Sequence, residues 1–91
     1  MATIVVTMKI MPDSPDADLA KIEISAKEKI AKFGGEVAKS EQVPIAFGLI
    51  ALNLFFVMDE KKGSTENLEN EILLIDEVQS VEVTDVRRAI G

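Results

Sequence analysis

The chain has 91 residues, 47% hydrophobic and 29% charged, with sixteen acidic against ten basic side chains for a net charge of −6. That length supports one hydrophobic core and not two, so a single domain over residues 1–91 is expected, with a composition far from that of disordered chains. The surplus of carboxylates repels phosphate backbones, which argues against nucleic acid as a direct partner and would favour a basic protein surface.

From Thr3 to Met11, Ile4, Val6, Met8 and Ile10 alternate with Val5, Thr7 and Lys9, the period of a strand with one buried face. Pro12-Asp13-Ser14-Pro15 ends it, and Asp13 or Ser14 is expected to cap a helix with Pro15 or Asp16 in its first turn. Leu19, Ile22, Ala26, Ile30 and Phe33 recur at helical spacing as a buried stripe, opposite Lys21, Glu23, Lys27, Glu28 and Lys32. Gly34-Gly35 stops that helix. Glu36 to Val43 is strand-like but polar, and Lys39 and Glu41 suit an edge strand that must discourage stray pairing.

Pro44 to Gly48 reads as a turn or bulge. Beyond it Ile50, Leu52, Leu54, Phe56 and Met58 alternate with Leu49, Ala51, Asn53, Phe55 and Val57, and two largely apolar faces mark a central strand. Asp59 to Gly63 is a solvated loop. Ser64 or Thr65 caps a second helix, with Leu68, Ile72 and Ile75 inside and Glu66 and Glu69 at its positive end. Val81 and Val83 alternate with Ser80, Glu82 and Thr84 in a last strand, leaving Arg87, Arg88, Ala89, Ile90 and Gly91 as a short tail.

The order is therefore βαββαβ, two right-handed split units that close as a four-stranded antiparallel sheet with both helices on one face. This is the ferredoxin-like sandwich of the α+β class, with its first and third strands in the middle. The opposite sheet face carries Val5, Thr7, Ala51, Asn53, Phe55 and Val57 and has nothing in the chain to cover it, which makes it a candidate docking surface.

Chemistry of its own is hard to find. The chain has no His, Cys, Tyr or Trp, so the commonest general base, the thiol nucleophile and thiolate zinc ligation are all excluded, and no cofactor is implied. With Asp16 and Asp18 as first and third ligands of a calcium loop, Ala20, Lys21 and Lys27 would fill the fifth, sixth and twelfth places, where a ligand, a glycine and a bidentate glutamate are needed. The loop after the first strand is acidic and lacks the glycines of a phosphate cradle, and Phe55 is the one aromatic on the open face, against an RNA-binding sheet. The start of the chain lacks a signal-peptide pattern, and its longest apolar run, Phe47 to Leu52, is broken by Asn53. A cytoplasmic protein with no membrane contact is expected.

Three stretches carry a resemblance. Val43-Pro44-Ile45-Ala46-Phe47-Gly48 precedes an apolar strand ending Val57-Met58-Asp59-Glu60, and the chain closes with Val78-Gln79-Ser80-Val81-Glu82-Val83-Thr84-Asp85. Together with the spacing from the first strand through Asp18-Leu19 to Gly34-Gly35, these resemble the exchange domain of the translation elongation factor 1-beta family, nearly end to end. The resemblance implies the same fold and nucleotide exchange on elongation factor 1-alpha, the GTPase that delivers aminoacyl-tRNA to the ribosome. Eukaryotic members carry the module at the end of a longer chain, so a chain of this size looks like the archaeal form, expected to be a monomer when free.

The same resemblance matches Phe47 to an aromatic that contacts the GTPase; the alternative is a core residue ending a strand. Pro44 and Gly48 would shape the turn, and Ile45 would share the contact. Eukaryotic members also place a lysine near the end that approaches the GTPase magnesium, but here no lysine follows Lys62. Arg87 or Arg88, with Ile90 beside them, are the candidates for that end, although neither arginine aligns without a shift and a guanidinium is no equivalent of an ammonium. The competing reading is a ligand-binding or regulatory ferredoxin-like domain that oligomerises through its open sheet face.

Overall fold

The two most apolar strands lie side by side at the centre of the sheet, as burial on both faces requires. In the computed structural model, which describes residues 2–89, β1 (Thr3–Pro12) runs antiparallel to β3 (Ile50–Asp59), in register from Thr3 opposite Asp59 to Ile10 opposite Leu52. The edge strands are β2 (Glu36–Pro44) beside β3 and β4 (Val78–Arg88) beside β1, giving the order β2-β3-β1-β4. With α1 (Leu19–Phe33) and α2 (Glu66–Leu73) between them, the chain follows the expected βαββαβ course of a ferredoxin-like α+β fold.

Both helices cover one face. Val6, Met8 and Ile10 of β1 and Leu52, Leu54, Phe56 and Met58 of β3 pack with Ile22, Ala26 and Ile30 of α1 and with Leu68 and Ile72 of α2 in a single apolar cluster. Among the described residues no polar side chain is buried, so the core holds nothing that must be hydrogen-bonded to be tolerated. No helix among them is long and apolar enough to cross a membrane.

The boundaries correct the sequence reading in three places. Helix α1 is capped by Asp18, not by Asp13 or Ser14: the Lys21 N–H donates to Asp18 Oδ1 at 3.2 Å, while Pro15 and Asp16 belong to a preceding turn closed by Ala17 N–H on the Ser14 carbonyl at 3.2 Å. The Asp59 to Gly63 segment contains a 3₁₀ turn over Glu60–Lys62, with the Asp59 carboxylate accepting from the Lys61 N–H at 2.9 Å. Arg87 and Arg88 are no tail; β4 continues through them, opposite Val5 and Ile4. For α2, the Ser64 hydroxyl accepts from the Glu66 N–H at 3.0 Å, and Thr65 donates to Glu69 Oε2 at 2.8 Å instead of capping the backbone.

Candidate functional site

The connection from β2 to β3 is drawn tight by two hydrogen bonds. Ile45 N–H donates to the Leu49 carbonyl at 2.8 Å, and Leu49 N–H donates to the Ala46 carbonyl at 3.0 Å. The two residues between Ala46 and Leu49 both have positive φ, Phe47 at 56° and Gly48 at 78°, as the central pair of a type I′ turn requires. Glycine adopts that backbone freely, whereas phenylalanine there costs about 1–2 kcal/mol. The ring recovers none of this by burial, because Phe47 is 94% exposed. The core alternative for Phe47 therefore does not hold.

Around it the surface stays apolar. Pro44 and Ala46 are exposed, Ile45 is 45% exposed, and Val43 at the end of β2 is exposed as well. Strained, exposed aromatic residues concentrate at functional sites, where the surrounding structure holds a costly conformation for use.

Arg87 and Arg88 stand at the other end of the sheet. Pro44 and Ile50 flank the Phe47 turn where β1 finishes, whereas Arg87 and Arg88 lie opposite Val5 and Ile4 where β1 starts. A ten-residue strand separates the two ends, about 30 Å at an ordinary strand rise, in a molecule 42 Å long. The structure thus brings Pro44, Ile45 and Phe47 together and keeps both arginines away from them. Successive strand residues face opposite sides of the sheet: Arg87 shares the open face with Val5, and Arg88 the helix-covered face with Ile4. Each is already paired, Arg87 Nε with Asp85 Oδ2 at 2.8 Å and Arg88 Nη2 with Glu60 Oε2 at 2.7 Å. Ile90 lies outside the described residues.

The open face is less apolar than its sequence suggested. Ala51 is buried and Phe55 half-buried, with Lys39 Nζ 5.4 Å from the Phe55 ring centroid. Lys9, Glu41, Glu82, Asp85 and Arg87 share that face by register with Val5, Thr7, Asn53, Phe55 and Val57. On the helix side, a groove of about 290 Å³ runs between α1 and the Leu74–Glu77 turn, with Lys21, Lys29 and Lys32 offset by Glu28, Asp76 and Glu77. Among the described residues no group of acidic side chains converges as a metal site would require.

One neighbour of the Phe47 turn escaped the sequence reading. A β-carbon built on Gly48 would stand 3.6 Å from Pro15 Cβ and 3.8 Å from its Cγ, so the β1–α1 loop lies against the turn. The signal was topological: antiparallel β1 and β3 bring the end of one and the start of the other to the same edge of the molecule.

Comparisons with known proteins give the family of the chain. The sequence pattern of the EF-1 guanine nucleotide exchange domain matches residues 5–89. Elongation factor 1-beta of Methanothermobacter thermautotrophicus is 44% identical over 88 residues, 97% of this chain and 98% of that protein. Elongation factor 1-beta of Methanocaldococcus jannaschii is 39% identical over 89 residues, 98% of this chain and 100% of that protein. Among solved structures, the C-terminal domain of the MgtC protein from Mycobacterium tuberculosis superposes with a TM-score of 0.53 at 17% identity, covering 98% of this chain and 88% of that one, a likeness of fold alone.

Proposed function

The chain belongs to the EF-1 guanine nucleotide exchange domain family and is an exchange factor of translation elongation, and on that premise we propose how it acts. The whole 91-residue chain works as one domain, free as a monomer in the cytoplasm, and promotes replacement of GDP by GTP on elongation factor 1-alpha. It does so by binding, without bond chemistry of its own and without touching nucleic acid. Phe47 is the anchor, with Ile45 and Pro44 sharing the contact.

The observation that carries this is the state of Phe47, 94% exposed on a left-handed backbone. An aromatic ring that contributes nothing to its own core and costs conformational energy has its use outside the chain. Burying a phenylalanine ring in a partner is worth about 2–3 kcal/mol, about 30- to 150-fold in affinity.

Exchange follows by linkage. A factor that binds the nucleotide-free GTPase more tightly than the nucleotide-bound form weakens nucleotide binding by the same ratio, and equal affinity for both would change nothing. A GTPase holds its nucleotide through phosphate contacts and Mg²⁺, so a contact that displaces either is sufficient. Arg87 and Arg88 are the cations at the far end of the sheet available for a second contact. Their exposed ion pairs contribute only about 0–1 kcal/mol each, so a partner can displace either one at little cost.

The test is release of fluorescent GDP from elongation factor 1-alpha with and without this protein. Acceleration is expected, and its absence would end the proposal. Phe47→Ala should slow the accelerated release while the circular dichroism spectrum stays that of wild type; an unchanged release rate would remove Phe47 from the contact.

A further inference from the structure

We propose that the acidic β1–α1 loop is the second half of the GTPase contact made by Phe47, and that the pair selects a partner surface in which an apolar pocket is rimmed by basic side chains. This rests on the reading of Phe47 given above and adds Asp13, Pro15 and Asp16 to it.

Contact is the first ground. Pro15 lies at van der Waals distance from the position a β-carbon would take on Gly48, so loop and turn form one continuous surface. Asp13 and Asp16 flank that proline in sequence, and both are exposed.

Preorganisation is the second. Asp13 N–H donates to the Glu77 carbonyl at 2.8 Å, Asp18 N–H to Glu77 Oε2 at 3.3 Å, and Ala17 N–H to the Ser14 carbonyl at 3.2 Å. Glu77 accepts the first two of these bonds from a left-handed backbone, φ 71°. The loop is thus tied to the start of β4 before any partner arrives, and little ordering entropy remains to be lost on binding.

Charge is the third. At the opposite end of the sheet Asp85 and Glu60 are each neutralised by an arginine. Among the described residues Asp13 and Asp16 have no ion pair, and their side chains accept no hydrogen bond. Two unpaired carboxylates that flank Pro15, the residue lying against the turn, project negative potential from the loop toward a surface that the ring enters. Exposed rim charges of this kind act over about a Debye length and set the rate of encounter more than the lifetime of the complex.

The experiment is stopped-flow association of the intact protein with nucleotide-free elongation factor 1-alpha, at low and at high salt. D13N/D16N is compared with wild type and with E36Q/E71Q, which removes the same charge from exposed positions on β2 and α2. The expected result is a D13N/D16N association rate about 3- to 10-fold slower at low salt, converging on wild type at high salt, with dissociation nearly unchanged. E36Q/E71Q should stay within about 2-fold of wild type, since Glu36 lies opposite Val57 at the other end of the sheet and Glu71 belongs to α2, outside both the loop and the turn. Two results overturn the proposal: D13N/D16N associating like wild type, or both double variants slowing alike, which would make it an effect of net charge. F47A in the same assay keeps the two levels apart. Faster dissociation by F47A with D13N/D16N silent rejects the loop and retains the anchor, whereas unchanged dissociation by F47A rejects the anchor and the loop proposal with it.

Discussion

Lys62 lies across Gly34: a β-carbon on that glycine would fall 2.5 Å from Lys62 Cε and 2.7 Å from its Nζ. The last residue of the 3₁₀ turn thus rests on the C-terminus of α1, where the Gly34 N–H is shared between the Ile30 and Ala31 carbonyls, both at 3.1 Å. Gly34 is also left-handed, with φ 106°. Gly34→Ala therefore meets a steric and a conformational cost together, about 1–2 kcal/mol of stability. Because a lysine chain is flexible, Lys62→Ala should recover the steric part and leave the conformational part. In a denaturant double-mutant cycle the coupling is expected near 0.5 kcal/mol, and strict additivity would mean that Lys62 does not rest there in solution.

The start of α1 gives a second prediction. Asp18 accepts from the Lys21 N–H, whereas Ser14 uses its carbonyl to close the turn before the helix. Asp18→Ala should cost about 1 kcal/mol in chemical denaturation and Ser14→Ala only a few tenths. Equal losses would show that the helix begins earlier than Leu19.

These boundaries mark the limit of what the sequence made legible. The alternation of Ile4 to Ile10 and Leu52 to Met58 and the stripe from Ile22 to Ile30 encode burial at the period of each element, so element order and sheet centre follow from short-range pattern. The start of α1 does not: Asp13, Ser14, Asp16 and Asp18 can all cap, and the choice falls to Glu77, a residue some sixty positions away that holds the Asp13 and Asp18 N–H groups. The extent of β4 likewise depends on Ile4 and Val5 offering their backbones to Arg88 and Arg87. At the candidate site the motif around Pro44, Ile45 and Phe47 could be read, but the ring's exposure could not, since an aromatic next to an apolar strand has the pattern of a core residue. Only the closed turn forces Phe47 into positive φ and its ring into solvent.

Arg87 and Arg88 divide between the two faces of the sheet, so one docked partner surface can readily engage only one of them. Arg87→Ala and Arg88→Ala should therefore differ in GDP-release assays, one slowing exchange several-fold and the other leaving it near wild type. Neither should change stability by more than about 1 kcal/mol, because both ion pairs are exposed. Equal slowing by both would mean that the end of β4 unpairs from β1 when the complex forms.

Phe47 combines a local cost with a use elsewhere, and the two can be separated by substitution. Its backbone position in the β2–β3 turn, φ 56°, favours Asn or Gly, and its exposed ring adds nothing to the core. Phe47→Asn should relieve the strain and stabilise the fold by about 0.5–1 kcal/mol, raising Tm by about 2–8 °C. The same change removes the anchor, so acceleration of GDP release should fall by about 10- to 100-fold. Phe47→Ala should lose as much exchange without the gain in Tm, because alanine keeps most of the left-handed penalty. A stabilised but inactive Asn variant would show that the strain is kept for the partner. Were Phe47→Asn instead to melt below wild type, the ring would belong to the fold, and the strain argument and the contact would fail together.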